Sequence, residues 1–377
     1  MRVLLVNDDG PPAPHSPHIL GLYEHLKNQL GWEVIVVLPS SQKSWGSMAF
    51  SLHPPCSKWY YYPIKDDYSG EKARDYHNWS SIQRPLKEDE IAEWILVDGS
   101  PTTCANIGLY SLNSSGEQSS SASSKIDIVI SGPNFGRNTG TAFSLCSGTI
   151  GAAQAASLSG IPAIAISYAH FHQPNKMVEE AEVKRSTKAQ QQPKKFGDLP
   201  QSAPLEVVER AHQLSCQLIE KLYKNWESNV GVYSINVPLT YNLLDQDKQT
   251  QVYWTKTWDS KFGQLFQAEE EESNQAGQGP LNSSPGFSTG GNAEESGQKK
   301  KDFKPSSAPL PKSSFKFAPN MAAMLQPKRD QQSTETDIWA VLNGHISVAR
   351  LSPSYTAILP ALQSENSSTA PGTHFKL

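Results

Sequence analysis

Two adjacent aspartates, Asp8 and Asp9, end the first aliphatic run of the chain and are the first residues whose types suggest chemistry. The run at residues 2–6 reads Arg-Val-Leu-Leu-Val, which is typical of a buried strand in a parallel sheet. In open α/β sheets, ligands bind beyond the carboxyl ends of the strands, where both carboxylates would lie. The two carboxylates repel each other, and a divalent cation such as Mg²⁺ or Mn²⁺ would offset that repulsion. The alternative is structural: Asp8 caps a helix and Asp9-Gly10 is only a turn.

Two further polar loops follow predicted strands. Residues 33–38 form the second predicted strand, and the loop after it contains Ser44. Residues 126–130 form the clearest central strand, which leads directly into a polar loop at residues 131–138. Because the carboxyl ends of parallel strands meet at one edge of a sheet, we expect these loops to converge with Asp8 and Asp9. Together they offer carboxylate, hydroxyl and amide oxygens, which are the ligands that Mg²⁺ prefers.

A helix start on the same edge would complement a cation. Ser147-Gly148-Thr149 opens a run of small residues at 150–159, which predicts a helix packed closely on the sheet. Hydroxyl side chains and free backbone N–H groups at a helix N-terminus suit an anion such as phosphate. The alternative is that Ser147 or Thr149 merely caps the helix. A cation site beside an anion site indicates phosphoryl hydrolysis, in which the metal polarises a phosphoryl oxygen and activates water.

The elements that must position these loops alternate between strands and helices. The strand–helix–strand order predicts an α/β fold, a Rossmann-like three-layer αβα arrangement with a mostly parallel sheet and C-terminal extended or hairpin segments. Further helices are predicted at residues 17–30, 105–112 and 205–226, and further strands at 94–97, 161–168 and 230–238. Residues 59–62 are predicted to be an edge or hairpin strand, 251–266 a hairpin arm, and 336–351 an extended final segment.

The composition predicts one domain with long insertions. Residues 1–267 form the domain, and a strand at 336–352 completes it. The polar segments at 113–124 and 171–204 are predicted to be disordered insertions, 268–335 a low-complexity linker, and 353–377 a flexible tail. His170 and His172 lie beside the second insertion and are predicted to be solvated loop residues.

Charge and cysteine usage restrict the class of protein. The 377 residues carry a net charge of −4, so no basic excess indicates a nucleic-acid polymer as partner. No stretch resembles a transmembrane helix or a secretory leader, and no membrane association is expected. The four cysteines are scattered without metal-binding spacing, which is typical of reduced thiols in the cytoplasm: Cys56, Cys104, Cys146 and Cys216.

The order and spacing of these motifs resemble the SurE family, whose members are survival-protein phosphatases. The matching segments are Asn-Asp-Asp-Gly at 7–10, the Ser44 loop, Gly-Ser-Pro-Thr at 99–102, and Ser-Gly-Pro-Asn at 131–134 leading to Ser147-Gly148-Thr149. Together they cover residues 1–168. Weaker matches continue at residues 236–238 and at Asp337 with residues 344–348. The proline-rich loop after Gly10 and the long insertions look most like the fungal branch of the family.

The resemblance implies a function and a set of site residues. SurE members are metal-dependent 5′/3′-nucleotidases and acid phosphatases that act on small phosphomonoesters. By resemblance, one Mg²⁺ or Mn²⁺ per subunit is held by Asp8, Asp9, Ser44 and Asn134, and the substrate phosphate lies near Asn138, Ser147, Gly148 and Thr149. Asp8 or Asp9 would hold the ion and orient its water for direct attack, without a covalent intermediate. The resemblance also implies a homodimer or homotetramer.

Three departures from the family pattern keep alternatives open. Arg137 lies in the same loop as Asn134, and it either binds a phosphate or is solvated. Thr103 stands where the family has an aspartate, and His345 replaces a usual tyrosine and is expected to be a surface residue. A catalytically weak or inactive binding or scaffold protein is therefore the rival hypothesis. An oxidoreductase is disfavoured because no GxGxxG turn follows the first strand.

Overall fold

The computed structural model describes residues 1–72, 78–112, 125–170, 203–245, 250–270, 313–319, 324 and 333–354. The strands are β1 (Arg2–Val6), β2 (Glu33–Pro39), β3 (Lys58–Tyr61), β4 (Trp79–Ser80), β5 (Trp94–Val97), β6 (Ile128–Phe135), β7 (Ala163–Ala169), β8 (Val232–Pro238), β9 (Val252–Thr255), β10 (Phe266–Glu270), β11 (Ser313–Phe317) and β12 (Ile346–Leu351). The helices are α1 (Ile19–Asn28), α2 (Pro101–Tyr110), α3 (Thr141–Cys146), α4 (Gly148–Leu158), α5 (Leu205–Lys224) and α6 (Asp337–Leu342), with a 3₁₀ turn at Tyr241–Leu243.

Ten of these strands form one sheet in the order β4-β3-β5-β2-β1-β6-β7-β8-β12-β9. Strands β5, β2, β1, β6, β7 and β8 run parallel to one another. The predicted edge or hairpin strand at residues 59–62 is β3, which pairs antiparallel with β4 and β5. The predicted α/β class, with its mostly parallel Rossmann-like sheet, is confirmed. Since β1 lies between β2 and β6, the loops that follow these three strands leave the sheet side by side.

Helices cover both faces of the sheet because side chains of a strand alternate between the faces. Leu4 and Val6 of β1 belong to a core that α2 and α4 complete. Val3 and Leu5 belong to a second core, which α1 and α5 complete. All four side chains are fully buried. The aliphatic run at residues 2–6 is therefore apolar throughout because each of its faces packs against a helical layer.

Helix α2 begins four residues earlier than the predicted helix at 105–112. Ser100 is its N-cap: the side-chain oxygen accepts a hydrogen bond from the Thr103 N–H at 3.1 Å. Pro101 occupies the first helical position, where its missing N–H costs nothing and its fixed φ suits the helix. A serine followed by a proline was thus a helix-start signal, and the prediction treated it as part of a loop.

Two predictions for the C-terminal part are wrong. Residues 336–351 are not a single extended segment, because α6 forms first and β12 follows it. Thr336 caps α6, its Oγ1 accepting from the Trp339 N–H at 3.4 Å. Residues 251–266 do not form a hairpin arm, since β9 pairs in parallel with β12. The other predicted helices and strands are present, with boundaries shifted at their ends.

The described chain divides into two compact units. One comprises Met1–Lys261 with Gln326–Leu377 and contains the ten-stranded sheet; the other is Phe262–Leu325. In the second unit β10 and β11 pair antiparallel, so the predicted linker at 268–335 contains a strand. Residues 113–124, 171–202 and 355–377 lie outside the described residues, and the predictions for the insertions and the tail stay predictions. Within the described chain, no helix combines the length and apolar character needed to span a membrane.

Candidate active site

The turn after β1 is shaped by Asn7 rather than by the aspartates. Asn7 Oδ1 accepts from the Gly10 N–H at 2.9 Å, and Asn7 Nδ2 donates to the Gly10 carbonyl at 2.9 Å. Gly10 has a φ of +88°, which L side chains rarely adopt. Asp8 and Asp9 lie inside this turn and are only 2% and 1% exposed. The alternative that Asp8 is only a helix cap and Asp9-Gly10 only a turn does not explain why both carboxylates are buried.

Asp8 packs against the first turn of α4. Thr149 Oγ1 donates a hydrogen bond to Asp8 Oδ1 at 2.5 Å, and the backbone N–H groups of Gly148 and Thr149 also hydrogen-bond to this carboxylate. A Cβ at Gly148 would lie 2.9 Å from Asp8 Cβ, closer than a side chain can be accommodated without movement. Ser147 caps the helix, because its side chain accepts from the Ile150 N–H at 3.1 Å. We call Asp8, Gly148 and Thr149 the aspartate wall of the site.

Asp9 is held by the end of β6. The Phe135 N–H donates to Asp9 Oδ2 at 2.7 Å, and Gln42 Nε2 donates to Oδ1 at 3.3 Å. Phe135 follows Asn134 directly, so this hydrogen bond brings the loop of Asn134 to Asp9. The convergence expected for the first and third loops is therefore observed. Gln42 was not predicted as a site residue.

Burial dominates the electrostatics of the two aspartates. It raises the pKa of Asp8, although the hydrogen bonds from Thr149 and the α4 backbone partly offset the effect. The pKa of Asp9 is raised well above its usual value, first by burial and then by the charge of Asp8. Two ionised carboxylates in this position carry more negative charge than the surrounding N–H and O–H donors stabilise. A cation bound between them would favour their ionised forms.

The Ser44 loop is fixed to both neighbouring segments. The Lys43 N–H donates to the Asp8 carbonyl at 2.7 Å, which attaches the loop to the turn after β1. The Ser47 N–H donates to the Cys146 carbonyl at 2.9 Å, which attaches it to the segment before Ser147. Ser44 is exposed between these two attachments. The second of the three loops thus lies at the same edge of the sheet.

Asn134 stands at the carboxyl end of β6 and is half-buried. Its Nδ2 donates to the Gly136 carbonyl at 2.9 Å, which fixes the orientation of the amide. The preceding Gly132 has a φ of +121°, and a Cβ there would lie 2.2 Å from the Ile166 carbonyl oxygen. Only glycine allows β6 to approach β7 this closely while it turns toward the site.

Asn138 ties the same loop to the next two strands. Its Nδ2 donates to Ser167 Oγ at 2.8 Å, and its backbone N–H donates to Asn236 Oδ1 at 2.8 Å. Asn236 belongs to the weaker sequence match at residues 236–238, and this contact gives that match a structural role. The contact of Asn138 with a phosphate stays a prediction.

Arg137 is half-buried beside Asp337 and is not freely solvated. Burial lowers the pKa of Arg137 to about 10, and the charge of Asp337 opposes this shift. Asp337 is itself buried: its Oδ2 accepts from the Gly140 N–H at 2.8 Å, and its Oδ1 accepts from the Trp258 N–H at 3.0 Å. Asp337 therefore attracts the charge of Arg137 and also accepts from Gly140, so it contacts both ends of the loop at residues 137–140.

The other two departures from the family pattern also have packed environments. Thr103 Oγ1 accepts from the Ser51 N–H at 2.9 Å and lies 2.9 Å from Ser100 Oγ, so this position keeps a hydrogen-bonding role. The ring of His345 is half-buried, 5.1 Å from the ring of Tyr253 between centroids. His345 thus lies just before β12 and is partly packed, so it is not a fully exposed strand residue.

A second wall of the site was missed by the sequence analysis. It consists of Phe135, His18 and His170, and we call it the histidine wall. The Phe135 and His170 ring centroids lie 4.4 Å apart, and the Nε2 atoms of His18 and His170 lie 2.9 Å apart. His170 is half-buried, so its predicted solvated position is wrong, and His172 lies outside the described residues. No sequence spacing signals this wall, because His18 and His170 meet only through the fold.

Behind the histidine wall the polar groups are buried and uncharged. Burial lowers the pKa of His18 well below its usual value, and the neighbouring His170 and His212 lower it further. Burial also lowers the pKa of His212 to about 3. The Tyr168 hydroxyl lies 2.9 Å from His212 Nδ1, and the Tyr168 ring lies 5.1 Å from the ring of His18 between centroids. His18 and His212 are therefore neutral imidazoles at physiological pH.

The predicted metal ligands fit a hard divalent cation. Within the described residues, no three His, Cys, Asp or Glu side chains are grouped so that they could bind one metal ion. An ion at the predicted site would take two carboxylates, Asp8 and Asp9, with neutral oxygens from Ser44 and Asn134. Mg²⁺ and Mn²⁺ accept this mixture, whereas zinc sites are built from histidine and cysteine.

Comparison with known proteins assigns the chain to a family. Residues 3–264 match the family described as survival protein SurE. The chain belongs to the SurE family. A crystal structure of the SurE protein from Aquifex aeolicus is similar over 94% of this chain and 95% of its own, with a TM-score of 0.50 and 18% identity. That likeness concerns the fold alone.

Relatives of known name match this SurE chain over part of their length. The 5′-nucleotidase SurE of Geobacter metallireducens is 35% identical over 170 residues, which are 45% of this chain and 50% of that protein. A Saccharomyces cerevisiae protein named as a probable tubulin–tyrosine ligase is 32% identical over 316 residues, which are 76% of this chain and 36% of that protein. The chain thus spans about half or less of the length of these relatives.

Proposed function

We propose that this SurE chain is a divalent-metal-dependent phosphomonoesterase that hydrolyses nucleoside monophosphates, with other phosphomonoesters as further substrates. The observation that carries the proposal is the pair Asp8 and Asp9, two buried carboxylates with raised pKa values at the carboxyl edge of the sheet. The 5′-nucleotidase named among its relatives supports the substrate class. Groups that would bind a cation and groups that would bind an anion lie at one edge of the sheet, which suits phosphate ester chemistry.

Asp8, Asp9, Ser44 and Asn134 would hold one Mg²⁺ or Mn²⁺ ion. When bound, the ion would supply charge for the phosphoryl oxygens and favour ionisation of water. Asp8 and Asp9 would orient the attacking water, whose oxygen forms a bond to phosphorus while the bond to the leaving oxygen breaks. Hydrogen bonds from Thr149 and the α4 backbone hold Asp8 in place and oppose the rise of its pKa.

The phosphate itself would lie at the start of α4. Ser147, Gly148 and Thr149 surround the N-terminus of this eleven-residue helix, where the partial positive charge favours an anion. Asn138, on the loop that β7 and β8 hold, would approach from the side of Asn134. Each of these residues occupies a fixed backbone position, which limits the reorganisation needed on binding.

The test is phosphate release from nucleoside monophosphates by the purified chain in the presence of Mg²⁺ or Mn²⁺. EDTA is expected to abolish release, and Asp8→Asn and Asp9→Asn are each expected to lower it by at least about a hundredfold. Asp89→Asn, at an exposed aspartate, is the matched control and is expected to retain activity. Full activity of either site variant, or of the EDTA-treated protein, contradicts the proposal.

A binding or scaffold role is the second candidate. It is favoured by the departure of the loop at residues 135–138, which contains Arg137, from the family pattern. Nucleotide binding by the wild type without turnover of any phosphomonoester would support this role and reject the first. We further propose a homodimer or homotetramer, and a cytoplasmic location that is consistent with four free thiols among the described residues. Sedimentation and cell fractionation test these two proposals.

A further inference from the structure

The two walls of the site belong to opposite faces of the sheet. The aspartate wall continues into α4, whose residues pack in the core of α2 and α4. The histidine wall continues into α1 and Tyr168, which pack in the core of α1 and α5. A substrate that enters between the walls therefore meets backbone N–H groups and carboxylates on one side. On the other side it meets aromatic rings.

Phe135 connects the two walls. Its N–H donates to Asp9 Oδ2 at 2.7 Å, while its ring contacts the ring of His170, with 4.4 Å between centroids. The ring of His18 stacks on that of His170, with 5.2 Å between centroids and 20° between planes. One residue thus leads from the carboxylates to the aromatic surface.

We infer that Phe135, His18 and His170 receive the leaving group of the phosphomonoester and select one that carries an aromatic base. The inference rests on the proposed function, because it assigns the part of the substrate beyond the phosphate. In a nucleoside 5′-monophosphate a ribose separates phosphate from base, so the base contacts must lie beyond the carboxylates. The histidine wall is the aromatic surface next to the carboxylates, because its member Phe135 contacts Asp9 through its N–H.

The chemistry of the wall suits a nucleobase. Phe135 and His170 are half-buried residues, so neither is enclosed in the core, and aromatic rings provide stacking surfaces for any base. The buried His18 is neutral, as its lowered pKa indicates, and therefore adds no charge that would attract a second phosphate. Such an aromatic wall suits a nucleoside leaving group better than a leaving group without a ring, such as glycerol.

His170 also positions His18. The Nδ1 atom of His18 is buried and has no hydrogen-bond partner in the described part of the chain, so the contact with His170 orients this ring. Removing the His170 ring would therefore remove one stacking surface and loosen a second. Substituting phenylalanine would keep the stacking surface and remove only the hydrogen bond.

The experiment compares two substrates that differ in their leaving groups, adenosine 5′-monophosphate and glycerol 2-phosphate. His170→Ala is expected to raise the KM for adenosine 5′-monophosphate by about tenfold, the effect of losing one stacked base contact. The KM for glycerol 2-phosphate is expected to change less than twofold. His170→Phe is expected to recover most of the lost affinity. His345→Ala, at a histidine packed near Tyr253, serves as the control and should leave both KM values unchanged.

Equal changes for both substrates, or no change for either, overturn the inference. Calorimetric titration with adenosine, which carries no phosphate, decides the case even if no substrate is turned over. Weaker adenosine binding by His170→Ala than by the wild type supports the inference. Equal adenosine affinity of the two proteins, or no binding by the wild type, overturns it. A wild type that binds adenosine but releases no phosphate refutes only the proposed function.

Discussion

The aspartate wall and the histidine wall differ in which part of the chain approaches a ligand: backbone in the first, side-chain rings in the second. The aspartate wall is built from small residues, so that the α4 backbone itself reaches Asp8, and a Cβ at Gly148 would clash there. The histidine wall is built from large rings, and the backbone stays behind them. The difference teaches that backbone and hydroxyl donors stabilise the charge of Asp8 in this site, whereas aromatic rings form the opposite wall.

The largest expected effect comes from filling the close approach at the aspartate wall. Gly148→Ala places a Cβ 2.9 Å from Asp8 Cβ and 3.1 Å from Asp8 Oδ2, so the carboxylate must move. A displacement of about 1 Å at a reacting group costs roughly a hundredfold in rate. We expect a loss of that size in kcat for phosphate release. Gly263→Ala, where nothing lies within 4 Å of the new Cβ and φ is not in the left-handed region, controls for replacing a glycine by alanine outside the site.

A smaller effect is expected from the hydroxyl of Thr149. Thr149→Val keeps the shape but removes the donor to Asp8, leaving a buried carboxylate with one hydrogen bond fewer. Hydrogen bonds to charged groups contribute about 1.5–3 kcal/mol, so activity should fall roughly tenfold or more. The pKa of Asp8 should rise further, which shifts the pH–rate profile to higher pH. Thr149→Ser, which retains the hydroxyl, should restore both quantities, and an unchanged profile in the valine variant would contradict this role.

The smallest expected effect is on the pH dependence of the free energy of unfolding, to which Asp9 and the buried His212 contribute with opposite signs. The raised pKa of Asp9 means that, above about pH 3.8, the unfolded chain releases a proton that the folded one keeps, so metal-free stability falls as pH rises. His212 has the opposite effect. Its pKa is about 3 in the folded protein and 6.5 in the unfolded chain, so stability is lost as pH falls below 6.5. Each group changes the slope by at most about 1.4 kcal/mol per pH unit.

Each contribution to the slope of stability against pH can be measured by removing the other titrating group in a single variant. Between about pH 4 and 6.5 the contributions oppose each other and partly cancel in the wild type. Denaturant unfolding of metal-free Asp9→Asn should show stability that rises more steeply with pH over this window. His212→Gln should show stability that falls more steeply with pH. Parallel curves for wild type and both variants would mean that neither buried group titrates differently in the folded state.

The aspartate wall was predictable from sequence, and the histidine wall was not, for a physical reason. Asp8 and Asp9 come soon after β1 and Asn134 lies near the carboxyl end of β6, so strand periodicity and the parallel topology place them at one edge. His18 and His170 gain their positions only from contacts across the fold, because α1 brings one and the end of β7 brings the other. A histidine beside a polar insertion gives no local sign that its ring is half-buried.

Errors in the predicted elements had a different origin. Ser100 and Thr336 are both helix N-caps, and each was read as part of a loop or an extended segment. Capping is a local signal that the sequence contained. The parallel pairing of β9 with β12 was not local, since the two strands lie far apart in the chain. The strand at 313–317 lies within a stretch whose composition indicated no ordered structure.

The carboxylate of Asp337 has a consequence for the order in which the protein becomes complete. It accepts hydrogen bonds from the backbone of Gly140 and Trp258, so the loop that follows Asn134 depends on a residue nearly two hundred positions later in the chain. A nascent chain that ends before Asp337 lacks the carboxylate that accepts from the Gly140 and Trp258 N–H groups. Asn138, in contrast, has its partners Ser167 and Asn236 earlier in the chain. During synthesis the Gly140 end of this loop therefore gains its acceptor only once α6 has been made.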